Sequence, residues 1–583
     1  MIPKHVKNIP YGLTDYERII TGSYYYVDKT RFIPRIEQAA SYFFLIRPRR
    51  FGKSLLLNML DSYYDINNAE RFETLFGQQW IYQNETDLRA KFLVMRFNFS
   101  AVDSRPEHLE TSFENHCEIR LLEFIGRYKR FFPVGFEQEM LKYPTAADRL
   151  QHIDRIASSL GLRIYLFIDE YDNFTNSILA TMGRDAYSNA MHGEGFFRYF
   201  FNILKTLTTG SGAALERMFI TGVSPVTLDD VTSGFNIGTN FTISPSFNNL
   251  VGFSEAELRT MLEYYHSEGV LKMNVDEVVK EMKPWYDNYC FAEECLGDSM
   301  YNSDMVLYYL NHYIVDGRPP REMIDKNIRT DHGKLRHLIK VDRGLGPNFS
   351  VIREVVESGR TTASLSSAFS VEKMLVPDNF KSLLYYFGLL TIQGTERGAA
   401  VLTIPNHTVR EQMYSYLTES LADADIFRVD IYELAQLIQN MAYDGDWQPV
   451  FNYIASELQK QSRVREFIEG EAHIKGFLLA YLGLPHYYML IPEYELSKGY
   501  SDLYFQPNPR LTDMPYAYLL EVKYLKRDEP DNRIAVLKAD ARAQLLNYAS
   551  DETVVSTLGN AKLRLITVVF RGWELVDMEE VEL

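Results

Sequence analysis

The sequence predicts a multidomain α/β protein in which two α/β ends flank a helical and winged-helix-like middle region. Three observations carry this reading. An apolar run at residues 42–46 leads into Gly52-Lys53-Ser54 and then an apolar helical stretch. A second apolar run, residues 164–168, ends in Asp169-Glu170. From about residue 465 the order is α-β-β-β-α-β, with Asp502 on one strand and Glu521-Val522-Lys523 on the next.

The length of 583 residues is too great for one hydrophobic core, so about two to four domains are expected. Hydrophobic residues at 46% and charged residues at 24% fit a folded soluble protein rather than a disordered or membrane-embedded one. No run of 18 apolar residues occurs, and the first seven residues lack the apolar centre of a signal peptide. A cytoplasmic location without membrane partners is the expectation. Cys117, Cys290 and Cys295 are too few for a disulfide framework and too poorly accompanied for zinc. A formal charge of −17 argues against a general nucleic-acid coater, but leaves room for a local basic groove.

Residues 1–250 alternate short β-rich runs (42–46, 92–99, 163–168, 217–221) with amphipathic stretches such as 106–130, the pattern of an α/β domain. From 251 to 464 helices dominate. Ser254 and Glu257 form a capping box for a helix through Tyr265, and Asn302-Ser303-Asp304 opens another through Tyr313. Near 380–417 the order helix, strand, Gly394–Gly398 turn, strand, helix fits a winged-helix-like unit or a plain packing module. Residues 465–583 form the second α/β domain, with strands at 487–494, 502–505, 516–524 and 563–570.

A strand running through Gly-Lys-Ser into a helix is the context a phosphate loop needs. N–H groups at the helix start cradle phosphates, Lys53 reaches the β/γ-phosphates and Ser54 coordinates Mg²⁺. Phe51 and Gly52 complete the turn, while Arg47 stands where the first glycine of the general pattern would be. Asp169 suits the Mg²⁺ shell and Glu170 suits polarising the attacking water. Thr221 or Ser224, at the end of a third apolar strand, could sense the γ-phosphate. Arg49 and Arg50 either contact phosphate or pair with acids such as Asp61. ATP and Mg²⁺ are the cofactors this set implies.

In the last domain, a hairpin through the turn 508–515 sets Asp502 across from Glu521. Glu521 and Lys523, two apart, share one sheet face, with Leu520 and Val522 on the other. Two carboxylates and a lysine at one sheet end suit metal-assisted phosphodiester hydrolysis: Asp502 and Glu521 as Mg²⁺ ligands, Lys523 orienting or deprotonating water. Glu471 on the preceding helix could complete the shell, with Glu469 as a rival. Gln544 and Tyr548 share a face of the following helix. No G-x-S-x-G or H-E-x-x-H occurs, and His407 has no nucleophile to partner.

Ile9-Pro10-Tyr11-Gly12, Tyr26-Val27-Asp28-Lys29-Thr30 and Arg47-Pro48-Arg49-Arg50-Phe51-Gly52-Lys53-Ser54 resemble the AAA-ATPase-like family found in many gut bacteria. Val223-Ser224-Pro225, Trp285–Tyr289 and Gly388-Leu389-Leu390 extend the resemblance, which makes Arg47 the family's own variant and implies ATP binding, with hydrolysis following. Asp502, Glu521-Val522-Lys523, Gln544-Leu545-Leu546-Asn547-Tyr548 and Glu471 resemble the PD-(D/E)XK nuclease superfamily, with Ser501 where a proline is usual. Together the resemblances imply an ATPase that gates a Mg²⁺-dependent nuclease acting on DNA or RNA, with oligomerisation possible. The alternative is an ATP-dependent switch whose last domain only binds nucleic acid or a protein partner.

Overall fold

The computed structural model describes residues 6–103, 105, 107–173, 178, 195–210, 212–226, 238–325, 347–423, 431–460, 470–483, 487–496, 499–508, 511 and 513–582. Residue contacts divide the chain into two compact units. The first comprises Met1–Val341 and Thr362–Asn406, the second Asp342–Thr361 and His407–Leu583.

The first unit is built on a five-stranded parallel sheet: β1 (Tyr42–Ile46), β2 (Leu93–Asn98), β3 (Ile164–Asp169), β4 (Leu215–Gly222) and β5 (Thr239–Asn240). Their spatial order is β2-β3-β4-β1-β5, every neighbouring pair parallel. β3 is buried along its whole length, as befits a sheet covered on both faces. The four runs expected as strands all form. The strand that separates β1 from β3 in space is β4, whereas β2, which separates them in sequence, lies at the sheet edge. The ends of β1, β3 and β4 therefore lie side by side, and α1 (Lys53–Tyr64) starts there. Helix Leu109–Arg127 covers β2 and buries Phe113, Leu121 and Phe124.

Beyond the sheet, helix Glu255–Ser267 opens with the expected capping box: the Ser254 hydroxyl accepts from the Glu257 N–H, and Glu257 accepts from the Ser254 N–H at 2.9 Å. Glu257 also takes the buried Lys29 ammonium at 2.7 Å, tying the N-terminal segment to this helix. α2 (Ser303–Asp316) is capped by Asn302, whose side chain accepts from the Met305 N–H, and Gly317 ends it. Helix Pro377–Tyr386 is followed by the antiparallel hairpin β6 (Thr391–Glu396) and β7 (Ala399–Thr403). Helix His407–Asp423 comes next in the chain and falls in the second unit. Burial and Arg410 push the His407 imidazole down to about 3, so it is neutral, as a structural histidine should be.

The second unit holds α3 (Pro347–Ser358), α4 (Glu471–Leu482), a five-stranded sheet and α5 (Asn532–Tyr548). The strands β8 (Tyr488–Leu496), β9 (Gly499–Pro507), β10 (Tyr516–Leu525), β11 (Lys562–Arg571) and β12 (Glu574–Val581) lie in sequence order. Only β10 and β11 pair in parallel, because α5 forms the crossover between them. Leu545 and Tyr548 of α5 pack with Tyr504, Leu519 and Leu565 in the core beneath it. β12 goes beyond the sequence expectation, which ended at residue 570. Its acidic, half-exposed run lacks the apolar signal of its neighbours because it is the sheet edge.

No helix of the described residues is long and apolar enough to cross a membrane.

Candidate functional sites

Gly52, in the left-handed region at φ 91°, lets the chain turn from β1 into α1, where L-residues other than glycine meet a steric penalty. The first turn of α1 leaves N–H groups directed out along its axis, a natural anion site. Lys53 is buried, and its ammonium donates to the carbonyls of Arg47 (3.0 Å) and Pro48 (2.9 Å). Burial pulls it down to about 8. The Ser54 hydroxyl donates to Asp169 Oδ2 at 2.6 Å, joining two motifs 115 residues apart.

Glu170 adopts φ 49° and Arg50 φ 65°, conformations that non-glycine residues hold only where their surroundings fix them. Burial, followed by the charge of Asp169, raises the Glu170 carboxyl. Arg49, Arg50, Phe51, Gly52, Lys53, Ser54 and Glu170 all line one cleft of about 490 Å³, within the usual range for a small-molecule site. Its far wall is more apolar, with Leu13, Tyr25, Val27, Met261 and Leu307. Asp169 and Thr221 lie outside the lining. The Thr221 hydroxyl donates to the Leu45 carbonyl at 2.7 Å, across the β1–β4 ladder. Ser224 is held by its backbone: its N–H donates to Asp172 at 2.6 Å, and its carbonyl accepts from the Tyr171 hydroxyl at 2.6 Å.

The two arginines after Pro48 diverge. Arg49 lies 3.5 Å from the Asn173 side-chain oxygen. Arg50 pairs with Asp304 of α2 at 2.8 Å, with Asp325 at 3.8 Å. Asp61 is taken by Arg127 (2.9 Å) and Arg96 (3.3 Å) instead.

Arg47 is fully buried, with no carboxylate partner among the described residues. Its guanidinium donates to the carbonyls of Ile46 (3.0 Å), Thr242 and Phe247 (3.0 Å), and stacks 4.3 Å from the Phe291 ring centre. Phe51 packs edge-on to Tyr289 and Phe291. Gly388, at φ 78°, leaves no room for a Cβ, which would come within 2.8 Å of the Pro48 ring. Segments 285–291 and 385–390, far apart in sequence, thus form the wall behind the loop.

In the second unit the β9–β10 ladder pairs Leu503 with Leu520, and the next step sets Asp502 beside Glu521. The Asp502 N–H donates to Glu521 Oε1 at 3.3 Å, and the Val522 N–H donates to Asp502 Oδ2 at 2.7 Å. Lys523 donates to Glu521 Oε2 at 3.0 Å. Glu521 is 1% exposed, and burial, followed by Asp502, pushes its carboxyl up to about 8. Two buried acids that repel each other fit a cation between them. Asp502 and Glu521 are hard oxygen donors of the kind Mg²⁺ prefers. Burial, followed by the charges of Glu521 and Asp502, raises the Tyr548 hydroxyl on α5. Gln544 Oε1 is buried, with no hydrogen-bond partner among the described residues.

A residue absent from the sequence reading stands at the centre. Lys475 of α4 lies 2.5 Å from Asp502 Oδ1, 3.0 Å from Glu493 and 3.1 Å from Glu471. Burial works against its ammonium, but Asp502 and Glu493 outweigh this and raise it. Glu471 therefore faces Lys475, and Glu469 lies outside the described residues. Among the described residues no three His, Cys, Asp or Glu side chains converge to hold a metal ion. The local signal for Lys475 was its four-residue spacing from Glu471 on one helix face.

A P-loop domain with a Ser–Asp contact across its sheet ends, and a separate sheet domain carrying D…ExK, define the class: an ATPase-like domain joined to a nuclease-like one. Residues 10–232 match the family model of a predicted AAA-ATPase, AAA-ATPase-like, and residues 469–580 match that of the PD-(D/E)XK nuclease superfamily. The uncharacterized protein in the vnfD 5' region of Azotobacter chroococcum mcd 1 is 23% identical over 422 residues, 70% of this chain and 69% of that protein. Among solved structures, Cdc6p from Pyrobaculum aerophilum is 11% identical, covering 73% of this chain and 96% of that one, with a TM-score of 0.26. The Orc1 protein of Aeropyrum pernix, in complex with DNA, is also 11% identical, covering 72% and 96%, with a TM-score of 0.24. These two likenesses are too slight to carry any argument about function.

Proposed function

We propose that this chain is a cytoplasmic enzyme that binds and hydrolyses ATP, and that the nucleotide state gates a Mg²⁺-dependent nuclease acting on DNA or RNA. One observation supports the reading: a phosphate loop in contact with Asp169 and a cluster of Asp502, Glu521 and Lys523 occur in a single chain. In the first, Lys53 would exchange the Arg47 and Pro48 carbonyls for phosphate oxygens, and Ser54 and Asp169, in contact at 2.6 Å, would hold Mg²⁺. Glu170 takes a proton from the attacking water, a role favoured by its raised carboxyl. In the second, Asp502 and Glu521 would hold Mg²⁺ and Lys523 would orient the water. A bound Mg²⁺ supplies charge neutralisation at the phosphodiester and a more acidic water.

The test is a cleavage assay on single- and double-stranded DNA and RNA with Mg²⁺, with and without ATP. Wild-type protein is expected to cut at least one substrate, and Asp502→Ala and Lys523→Ala to lose this entirely. Unchanged cutting in both variants would sink the nuclease assignment. Lys53→Ala is expected to abolish the ATP dependence. Equal response of wild type and Lys53→Ala to ATP would sink the gating.

A further inference from the structure

Lys475 projects from α4 among three carboxylates: Asp502 Oδ1 at 2.5 Å, Glu493 Oε1 at 3.0 Å and Glu471 Oε1 at 3.1 Å. Its side chain is 15% exposed. Lys475, Asp502 and Glu357 line a small cavity together with Leu478, Leu479 and Leu503. The helix turn that carries it is held closely. Glu357 of α3 packs so tightly on Gly476 that a Cβ there would meet Glu357 Oε1 at 2.4 Å. The ammonium is thus tethered in place by its own helix.

The acids divide between two cations. Asp502 Oδ1 and Glu471, from strand and helix, both face the Lys475 ammonium. Glu521, beside Asp502 on the next strand, takes Lys523 at 3.0 Å and the Asp502 N–H at 3.3 Å, and makes no ion pair with Lys475. Two-metal phosphodiesterases place their ions about 3.5–4 Å apart, bridged by a shared carboxylate. Here Asp502 is the shared carboxylate, and one of the positions beside it already carries a positive charge. Three carboxylates facing one ammonium leave that position no need of a divalent ion.

We propose that Lys475 is a built-in cation that fills one of two cation positions in this site, so that Asp502 and Glu521 hold a single divalent ion. The proposal rests on the metal-dependent reading above.

The test titrates Mn²⁺ into the nucleotide-free full chain and follows it by electron paramagnetic resonance. Two Mn²⁺ ions at the spacing of a two-metal site couple magnetically, whereas an isolated ion does not. Wild-type protein is expected to bind one ion that is lost in Asp502→Asn, without coupling. Lys475→Met, which keeps the stem and removes the charge, is expected to take up one further ion and show a coupled spectrum. Lys475→Arg keeps the charge and should match wild type. A coupled pair in wild type overturns the proposal and leaves the metal-dependent reading standing. Absence of any Asp502-dependent ion from wild type overturns both. A folded Lys475→Met that gains no ion also overturns the proposal. Should Lys475→Met not fold, the wild-type and Lys475→Arg spectra decide it.

Discussion

Glu357 makes a quantitative prediction possible. Its carboxyl, 14% exposed on α3, is raised from the usual 4.5 to about 7 by burial, against the pull of Arg353 and Lys475. Glu357 Oε1 has no hydrogen-bond partner. The folded protein therefore keeps a proton that the unfolded chain gives up. Between pH 4.5 and about 7 the folded state binds more protons, so stability falls as pH rises through that window. Above it the penalty of a buried charge is complete. One pH unit of displacement corresponds to about 1.4 kcal/mol, which puts the full penalty at roughly 3 kcal/mol. Glu357→Gln removes the charge and keeps the shape. The variant should match wild type near pH 4.5 and exceed it above pH 7.5. For a unit of this size the gain corresponds to about 5–10 °C in melting temperature. Scanning calorimetry of the full chain at pH 5 and pH 8, following the transition that responds to the substitution, measures this. A difference that is the same at both pH values, or a wild type more stable at pH 8, would refute the reasoning.

Three further outcomes are expected. Arg47→Gly restores the residue of the general phosphate-loop pattern but strips the buried Thr242 and Phe247 carbonyls of their donor. At about 1–3 kcal/mol for each abandoned group it should destabilise the first unit by several kcal/mol, read as a lower melting temperature. Gly388→Ala forces a left-handed alanine, at about 1–2 kcal/mol, against the Pro48 ring. It should weaken binding of a fluorescent ATP analogue while Gly394→Ala, whose Cβ meets nothing within 4 Å, leaves it unchanged. Glu170→Gln should retain ATP binding and lose at least a hundredfold in turnover, in a phosphate-release assay.

Legibility in the sequence followed how local each signal was. β1, β3 and the start of α1 could be read because apolar runs end at Gly52, Lys53 and Asp169 within a few residues. The hairpin that aligns Asp502 with Glu521 was equally readable from the turn between them. The placement of β4 between β1 and β3 was not, since parallel strands choose neighbours through crossovers rather than through adjacent sequence. For Arg50 the sequence offers phosphate or nearby acids such as Asp61, whereas its partners Asp304 and Asp325 lie over 250 residues away. Lys475 was missed for a similar reason: of its three partners only Glu471 shares its helix, and Glu493 and Asp502 arrive on β8 and β9. Thr221 looked available at a strand end until the pairing of β1 with β4 supplied Leu45 as its acceptor.

The anchoring of Arg47 bears on how this protein can be divided for study. The matched ATPase-like segment ends at residue 232. Thr242, Phe247 and Phe291, which hold the arginine, and Gly388, which abuts Pro48, all lie past that point. A fragment cut at residue 232 would keep the whole phosphate-loop motif and lose its rear wall, leaving the Arg47 guanidinium only the Ile46 carbonyl of its three acceptors. Such a fragment should express as insoluble or nucleotide-blind material, however complete its motif. The smallest piece that retains these anchors reaches to the hairpin β6–β7, so expression trials should begin with fragments ending near residue 406.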